Sequence, residues 1–442
     1  MHLISAALVG SLGLIALAGT AQAARDDADD YPYLPLDHPA LQYAEHPTND
    51  PVSRLQVQID QGQVKLDYEP GRWGYLRSLL KHLQIDVDSQ MLVFSKTSFQ
   101  AQKISPKRPR ALYFNDNAAV GFVQDGEVME VASLDPTQGV LFYSLDIQKS
   151  QTPRFVRRDS ECLRCHLIPG TLNVPGLVVS SVIPSSDGSP RFPGAGVIID
   201  GRSPLSERWG GWYVSGTTGA LEHRGNAVAP DPLRPDMLDL RDSQNLTSLA
   251  KRFDTSAYLT GMSDIVALLT LEHQTRMVNL MTRLGWETRA AMQNGKLEDF
   301  RERLDFLAEQ TALYMLFADE APIKDPITGV SDFVKNFPKR GPRDKQGRSL
   351  RDFDLSRRLF RYPLSYMIYS DAFEGLPEAA KQRVYRRLHE VLTGKDTSEK
   401  FACLSAEDRR AVLDILIETK PNLPGYWRTS HAAAPAVRNT AP

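Results

Sequence analysis

The stretch Val128-Met129-Glu130-Val131-Ala132-Ser133-Leu134-Asp135-Pro136-Thr137-Gln138-Gly139-Val140-Leu141-Phe142-Tyr143-Ser144-Leu145 holds two apolar runs, Val128 to Val131 and Val140 to Leu145, parted by Asp135, Pro136 and Gly139. Short runs rich in Val, Phe and Tyr and bounded by turn formers read as strands. The pattern extends upstream to Met91–Phe94, Ala111–Phe114 and Val120–Val123, and downstream to Leu177–Ile183, Val197–Ile199 and Trp212–Val214, with one short helix at Trp73–Leu83. Past Pro235 the apolar period lengthens to that of helices, expected at Met262–Gly295, Leu297–Asp319, Asp354–Phe373, Pro377–Gly394 and Ser405–Lys420. Ser405 and Asp408 stand where a capping box would start the last of these. The expected class is α+β, a β-rich N-terminal half followed by an α-helical C-terminal half.

Outside these elements, residues 1–23 read as a signal peptide: Leu3 to Ala18 is uncharged and apolar, and Ala21-Gln22-Ala23 fits a cleavage site. The segment before it lacks Lys or Arg, so an uncleaved anchor stays open as the alternative. Residues 24–54, with six Asp and five Pro, are expected to be extended and poorly packed. A β-rich domain is placed at 55–234, a helical domain at 235–428 and a disordered tail at 429–442. A net charge of −2 over 442 residues, with 24% charged and 42% hydrophobic positions, fits a globular chain and excludes nucleic acid as the main partner. No other stretch is apolar enough to span a bilayer, so no transmembrane span is expected after cleavage.

Only three cysteines occur, and two lie in Glu161-Cys162-Leu163-Arg164-Cys165-His166, a CxxCH sequence. This spacing lets two thiols add to the two vinyl groups on one porphyrin edge while the adjacent His ligates the iron, the signature of covalent haem c. That attachment takes place outside the cytoplasm, in keeping with the export signal and a periplasmic location. A structural disulfide and a zinc site are the alternatives, the latter needing two more ligands. A thioredoxin-like pair is set aside because that motif opens a helix after a strand, whereas Pro169, Gly170, Pro175 and Gly176 follow here and the motif is expected in a loop. In these residues, and in the words Leu404 to Leu413, the chain resembles the c-type cytochromes. The resemblance covers the attachment site and about twenty further residues of a much longer chain. It implies one covalent haem on Cys162 and Cys165, His166 as proximal ligand and a redox role.

The iron's other ligand separates a carrier from an enzyme. His273 falls on the apolar face of the Met262 helix with Val266, Leu269, Met277 and Leu280, while Glu272, Arg276, Asn279 and Arg283 form a polar edge. His223 follows Arg208-Trp209-Gly210-Gly211-Trp212, a glycine-rich aromatic segment suited either to a haem pocket or to a tight hairpin with core tryptophans. Both are candidate metal ligands beside His166; Met277 is a lesser one, His38 and His46 lie in coil, and His82 and His389 read as structural. Arg157, Arg158, Arg164, Arg208 and Arg224 are candidate propionate partners. Lys335 to Arg361 carries ten basic residues against Asp344, Asp352 and Asp354. It is either a solvated face or a docking patch for an acidic periplasmic or membrane redox partner. Cys403 is expected to be an unpaired buried thiol. The leading expectation is an electron-transfer cytochrome, the alternative a haem c peroxidase or oxygenase with an open sixth site and His223, His273, Glu272 or an Arg as acid or base. A haem-based sensor is the third.

Overall fold

The structure is a computed structural model that describes residues 30–190, 196–231 and 238–428. The residues read as a signal peptide, 1–23, and the tail from 429 lie outside that range. The chain forms an N-terminal antiparallel sheet half and a C-terminal helical half, an α+β architecture.

In chain order the strands are β1 (Met91–Val93), β2 (Arg110–Phe114), β3 (Ala118–Phe122), β4 (Val128–Asp135), β5 (Gly139–Asp146), β6 (Phe155–Arg157), β7 (Val179–Ser181), β8 (Val197–Ile199) and β9 (Trp212–Tyr213). Seven form one antiparallel sheet in the order β6-β5-β4-β3-β2-β1-β9, and β7 pairs with β8. Turn chemistry sets the hairpins. Asn115 accepts from the Asn117 and Ala118 amides between β2 and β3, and Asp135 accepts from Thr137 and Gln138 before Gly139, whose φ is +87°.

The helices are α1 (Pro51–Asp60), α2 (Leu76–His82), α3 (Asp159–His166), α4 (Ile265–Gln293), α5 (Arg301–Met315), α6 (Phe333–Asn336), α7 (Asp371–Glu374), α8 (Glu378–Leu392) and α9 (Ala406–Thr419). Period-2 alternation sends Leu92, Ala111, Tyr113, Val120, Val131 and Tyr143 to one sheet face, sealed by α1, α2 and Leu249–Tyr258. The opposite face carries Phe114, Leu134, Val140 and Phe142, covered by α4. One apolar core runs from that face through α4 into α5, α8 and α9, so sheet half and helical half share it.

Four expectations need correction. CxxCH lies on a helix, not in a loop, and that helix follows a strand. From residue 30 the N-terminal segment is turn-rich and packed: Tyr31, Leu41 and Tyr43 are buried and the Tyr43 hydroxyl donates to Val140 O at 2.7 Å. The helix expected at Asp354–Phe373 is absent. Asp354 instead accepts from the Ser356 and Arg357 amides, Phe353 bridges to Phe360, and Pro363 supplies no amide hydrogen, leaving only a 3-10 turn at Tyr366–Tyr369 and α7. Cys403 is exposed rather than buried.

Candidate functional site

β6 ends at Arg157 and α3 begins two residues later, with Asp159 and Glu161 in its first turn, where the helix dipole favours acids. Cys162 and Cys165, one turn apart, share a face of α3. Both are unpaired thiols, Cys162 partly covered and Cys165 exposed. Burial, with Glu130, Glu161 and Asp159 nearby, pushes the Cys162 thiol up to about 11. A reactive Cys-x-x-Cys pair works by the opposite shift, so this thiol environment, rather than the backbone context, argues against a thioredoxin-like dithiol.

His166 closes α3. Its Nδ1 lies 2.9 Å from Gly176 O, and the Gly176 amide donates back to His166 O at 3.0 Å. A carbonyl only accepts, so Nδ1 carries the ring hydrogen and Nε2 keeps a lone pair, the tautomer of a metal-ligating histidine whose orientation is fixed from behind. Phe142 supports the ring at 4.6 Å, and burial holds the imidazole below its ordinary pKa and neutral. Gly176 is itself fixed by α4: Asn279 accepts from Leu177 N and donates to Leu177 O, and a Cβ on Gly176 would lie 2.2 Å from Asn279 Oδ1. Only glycine fits there.

Beside His166 the sheet face is incompletely covered. The register aligns Leu112, Gly121, Glu130 and Ser144 in one row and Phe114, Ala119, Ala132 and Phe142 in the next. Leu112, Ala119 and Ala132, with Cys162, Leu163 and Leu177, are apolar but only partly buried against the core. The small side chains of Ala119, Gly121 and Ala132 thus leave a shallow apolar floor bounded by α3. Arg110 and Glu130 stand on it 2.7 Å apart, and their charges reach His166. Arg110 Nε is buried without a hydrogen-bond partner. Two free thiols on one helical face, an imidazole with Nε2 available, an apolar floor and an orphaned guanidinium nitrogen fit a covalently attached haem. None of the floor residues, nor Arg110 or Glu130, was singled out in the sequence, because only the cross-strand register gathers them.

The other two histidines are engaged elsewhere. His223 is buried edge-on against Trp209, and its Nδ1 accepts from the Gly225 amide at 3.1 Å, which places the ring hydrogen on Nε2, the reverse of His166. Burial lowers its pKa to about 4. His273 is stacked between Tyr314 and Phe317, its Nε2 lies 2.7 Å from Ser365 Oγ, and burial lowers it to about 3. Its neighbours belong to the helical half, whereas those of His166 are Phe142 and Gly176. Met277 is buried in the core.

Glu272, expected on a polar edge, is fully buried: Arg208 Nη1 donates to it at 2.6 Å and Trp209 Nε1 donates to its other oxygen, while burial raises its carboxyl to about 7. Asn279 and Arg283 are equally buried with internal partners, so α4 is enclosed all round over most of its length. Arg208, His273, Tyr314 and Glu320 line a cavity of about 20 Å³, room for a single water. The glycines beside Trp209 serve close packing: Cβ atoms on Gly210 and Gly211 would meet Val182 O at 2.0 Å and Ser95 Cβ at 2.6 Å. Among the other propionate candidates, Arg157 pairs with Asp159 and Arg158 with Glu161, and Arg164 is exposed. In the basic run, Arg340, Arg348, Arg351 and Arg358 pair with Asp86, Asp344, Asp116 and Asp408, which answers much of its charge.

Among the described residues no group of three or more His, Cys, Asp or Glu side chains gathers as a metal-binding set, and no helix is long and apolar enough to cross a membrane. Compared with known proteins, the chain matches no family model, no curated protein and no solved structure.

Proposed function

We propose that this chain is an exported, periplasmic c-type cytochrome that carries one haem on Cys162 and Cys165, with His166 as its proximal ligand, and acts in electron transfer. The observation that carries the reading is His166 held by Gly176 O through Nδ1, with Nε2 left as a ligand atom beside two free thiols on the same helix. In attachment each S–H adds across a vinyl C=C, sulfur bonding one carbon and hydrogen the other, so no oxidant is consumed. When bound, the haem supplies a one-electron couple. The chain's residues would do the rest: Gly176 and Phe142 orient the imidazole, the Ala119–Gly121–Ala132 floor would keep water from one side, and exposed Cys165 would hold the group where a redox partner can reach it.

A second reading, a haem c enzyme with an open sixth site, is favoured by one observation: His223 and His273 are both committed to partners away from His166. Spectra of the periplasmically expressed protein decide. Haem that survives acid extraction supports attachment, and its absence overturns both readings. A low-spin reduced form indifferent to carbon monoxide supports the carrier, whereas a high-spin form that binds it supports the enzyme.

A further inference from the structure

Arg110 and Glu130 form a polar unit on an otherwise apolar floor. Glu130 engages both its oxygens: Oε1 accepts from Ser98 Oγ at 2.7 Å and Gln100 Nε2 at 2.9 Å, and Oε2 accepts from Arg110 Nη1 at 2.7 Å. Glu130 therefore holds the guanidinium in place but does not satisfy its Nε, which is buried without a partner. A buried donor left unmet costs about 1–3 kcal/mol, so this donor, on the sheet face beside His166, is poised for an acceptor from outside the chain. The fork of a guanidinium matches a carboxylate. The one carboxylate class that the attachment site would bring to this floor is the propionate of the haem itself.

We infer that Arg110 anchors a haem propionate, with Glu130, Ser98 and Gln100 orienting it from behind. The inference rests on covalent haem at Cys162 and Cys165, and deepens that reading by naming a residue that sets the charge around the iron. The charged and titratable groups facing Arg110 and Glu130 are His166 and Cys162 from α3, with Arg158 just before that helix and Asp159 and Glu161 in its first turn. A propionate paired with Arg110 stays ionised through neutral pH, because a neighbouring cation favours the charged carboxylate. Without the cation it titrates nearer neutrality, and the reduction potential then falls as pH rises, since the newly formed negative charge stabilises the oxidised iron.

The experiment uses the full-length holoprotein, with haem attachment confirmed by mass in each variant, and follows the midpoint potential from pH 5 to 8. In the wild-type protein the potential is expected to be flat. In Arg110→Gln it is expected to slope downward with pH and to lie lower at pH 8 by about 59 mV, a tenfold change for a one-electron couple. Glu130→Gln keeps the anchor and is expected to raise the potential while leaving it flat; Arg154→Gln, an exposed side chain paired with Asp60 away from the attachment helix, is expected to change neither. Arg110→Met, which keeps the aliphatic stem, replaces the Gln variant if that fails to fold. A neutral variant at Arg110 with the wild-type profile overturns the anchor while leaving the haem reading intact, and shows that Nε meets only water. A wild-type protein without attached haem overturns both.

Discussion

Gly176 is a small residue with two obligations: its carbonyl sets the His166 tautomer, and its missing side chain leaves room for Asn279, which clamps Leu177. Gly176→Ala forces either Asn279 or the loop to move. The expected loss is roughly 2–3 kcal/mol of stability, in the range of overpacking plus a lost buried hydrogen bond. Thermal unfolding of the holoprotein checks it, with Gly295→Ala as a poor comparison because an alanine at its φ of +64° would be strained for its own reason. Gly347 and Gly394 share that objection, so the useful control is Gly201→Ala, whose nearest Cβ neighbour would be Tyr314 Oη at 3.4 Å. A Gly176→Ala protein as stable as the Gly201→Ala protein contradicts the clamp. At this scale the sequence exposed the residues proposed to hold the haem and hid their supports. CxxCH is contiguous and chemically specific, whereas Arg110, Ala119, Glu130, Ala132 and Gly176 meet His166 only through sheet register and a loop.

Elements were legible in proportion to the regularity of their pattern. β4, β5 and α4 fell within a few residues of expectation, because alternation or helical period persists across each. α3 has eight residues and no buried face, too little for a period to show. The proline-rich start was misread because its prolines mark turns of a packed segment, with Tyr31, Leu41 and Tyr43 spaced irregularly between them. The start of α4 shows what holds an element in place. Asp264, nearly fully buried, caps the helix by accepting from Val266 N at 2.8 Å, and its other oxygen accepts from Val330 N and Ser331 N at 2.8 and 2.7 Å. Asp264→Ala removes the cap and strands two further amides, at an expected cost of about 3 kcal/mol. Ser405→Ala, at the exposed capping box of α9, is expected to cost about 1 kcal/mol. Denaturant melts of the two variants test the ordering, and equal losses would contradict it.

At the scale of the molecule, the change of pattern past Pro235 does not separate two cores. Met91, Phe114 and Val140 of the sheet pack in the same cluster as Met277, Leu304 and Val412 of the helices, and Trp286 of α4 reaches into the cluster on the far side of the sheet. Composition follows the chain, whereas burial depends on which elements meet, so the change in periodicity marked a change of secondary structure and not a boundary of folding. Expressed alone, residues 235–428 would expose the apolar surface of α4 that faces the sheet. That fragment is expected to lack cooperative thermal unfolding by circular dichroism, while the full chain unfolds in one main transition; a fragment with a sharp melt of its own would contradict the shared core.

The shared core also bears on the order of events in making the protein. Cys162 is partly covered in the finished fold, and the floor beside it is walled by α4, whose first residue follows His166 by about a hundred positions along the chain. If haem is attached as proposed, machinery that must reach both thiols gains access most easily while the chain is still threading and Ile265–Gln293 has not yet closed. Maturation and folding are then a race, in which slowing the closure of α4 favours complete attachment and hastening it favours chains trapped without their cofactor.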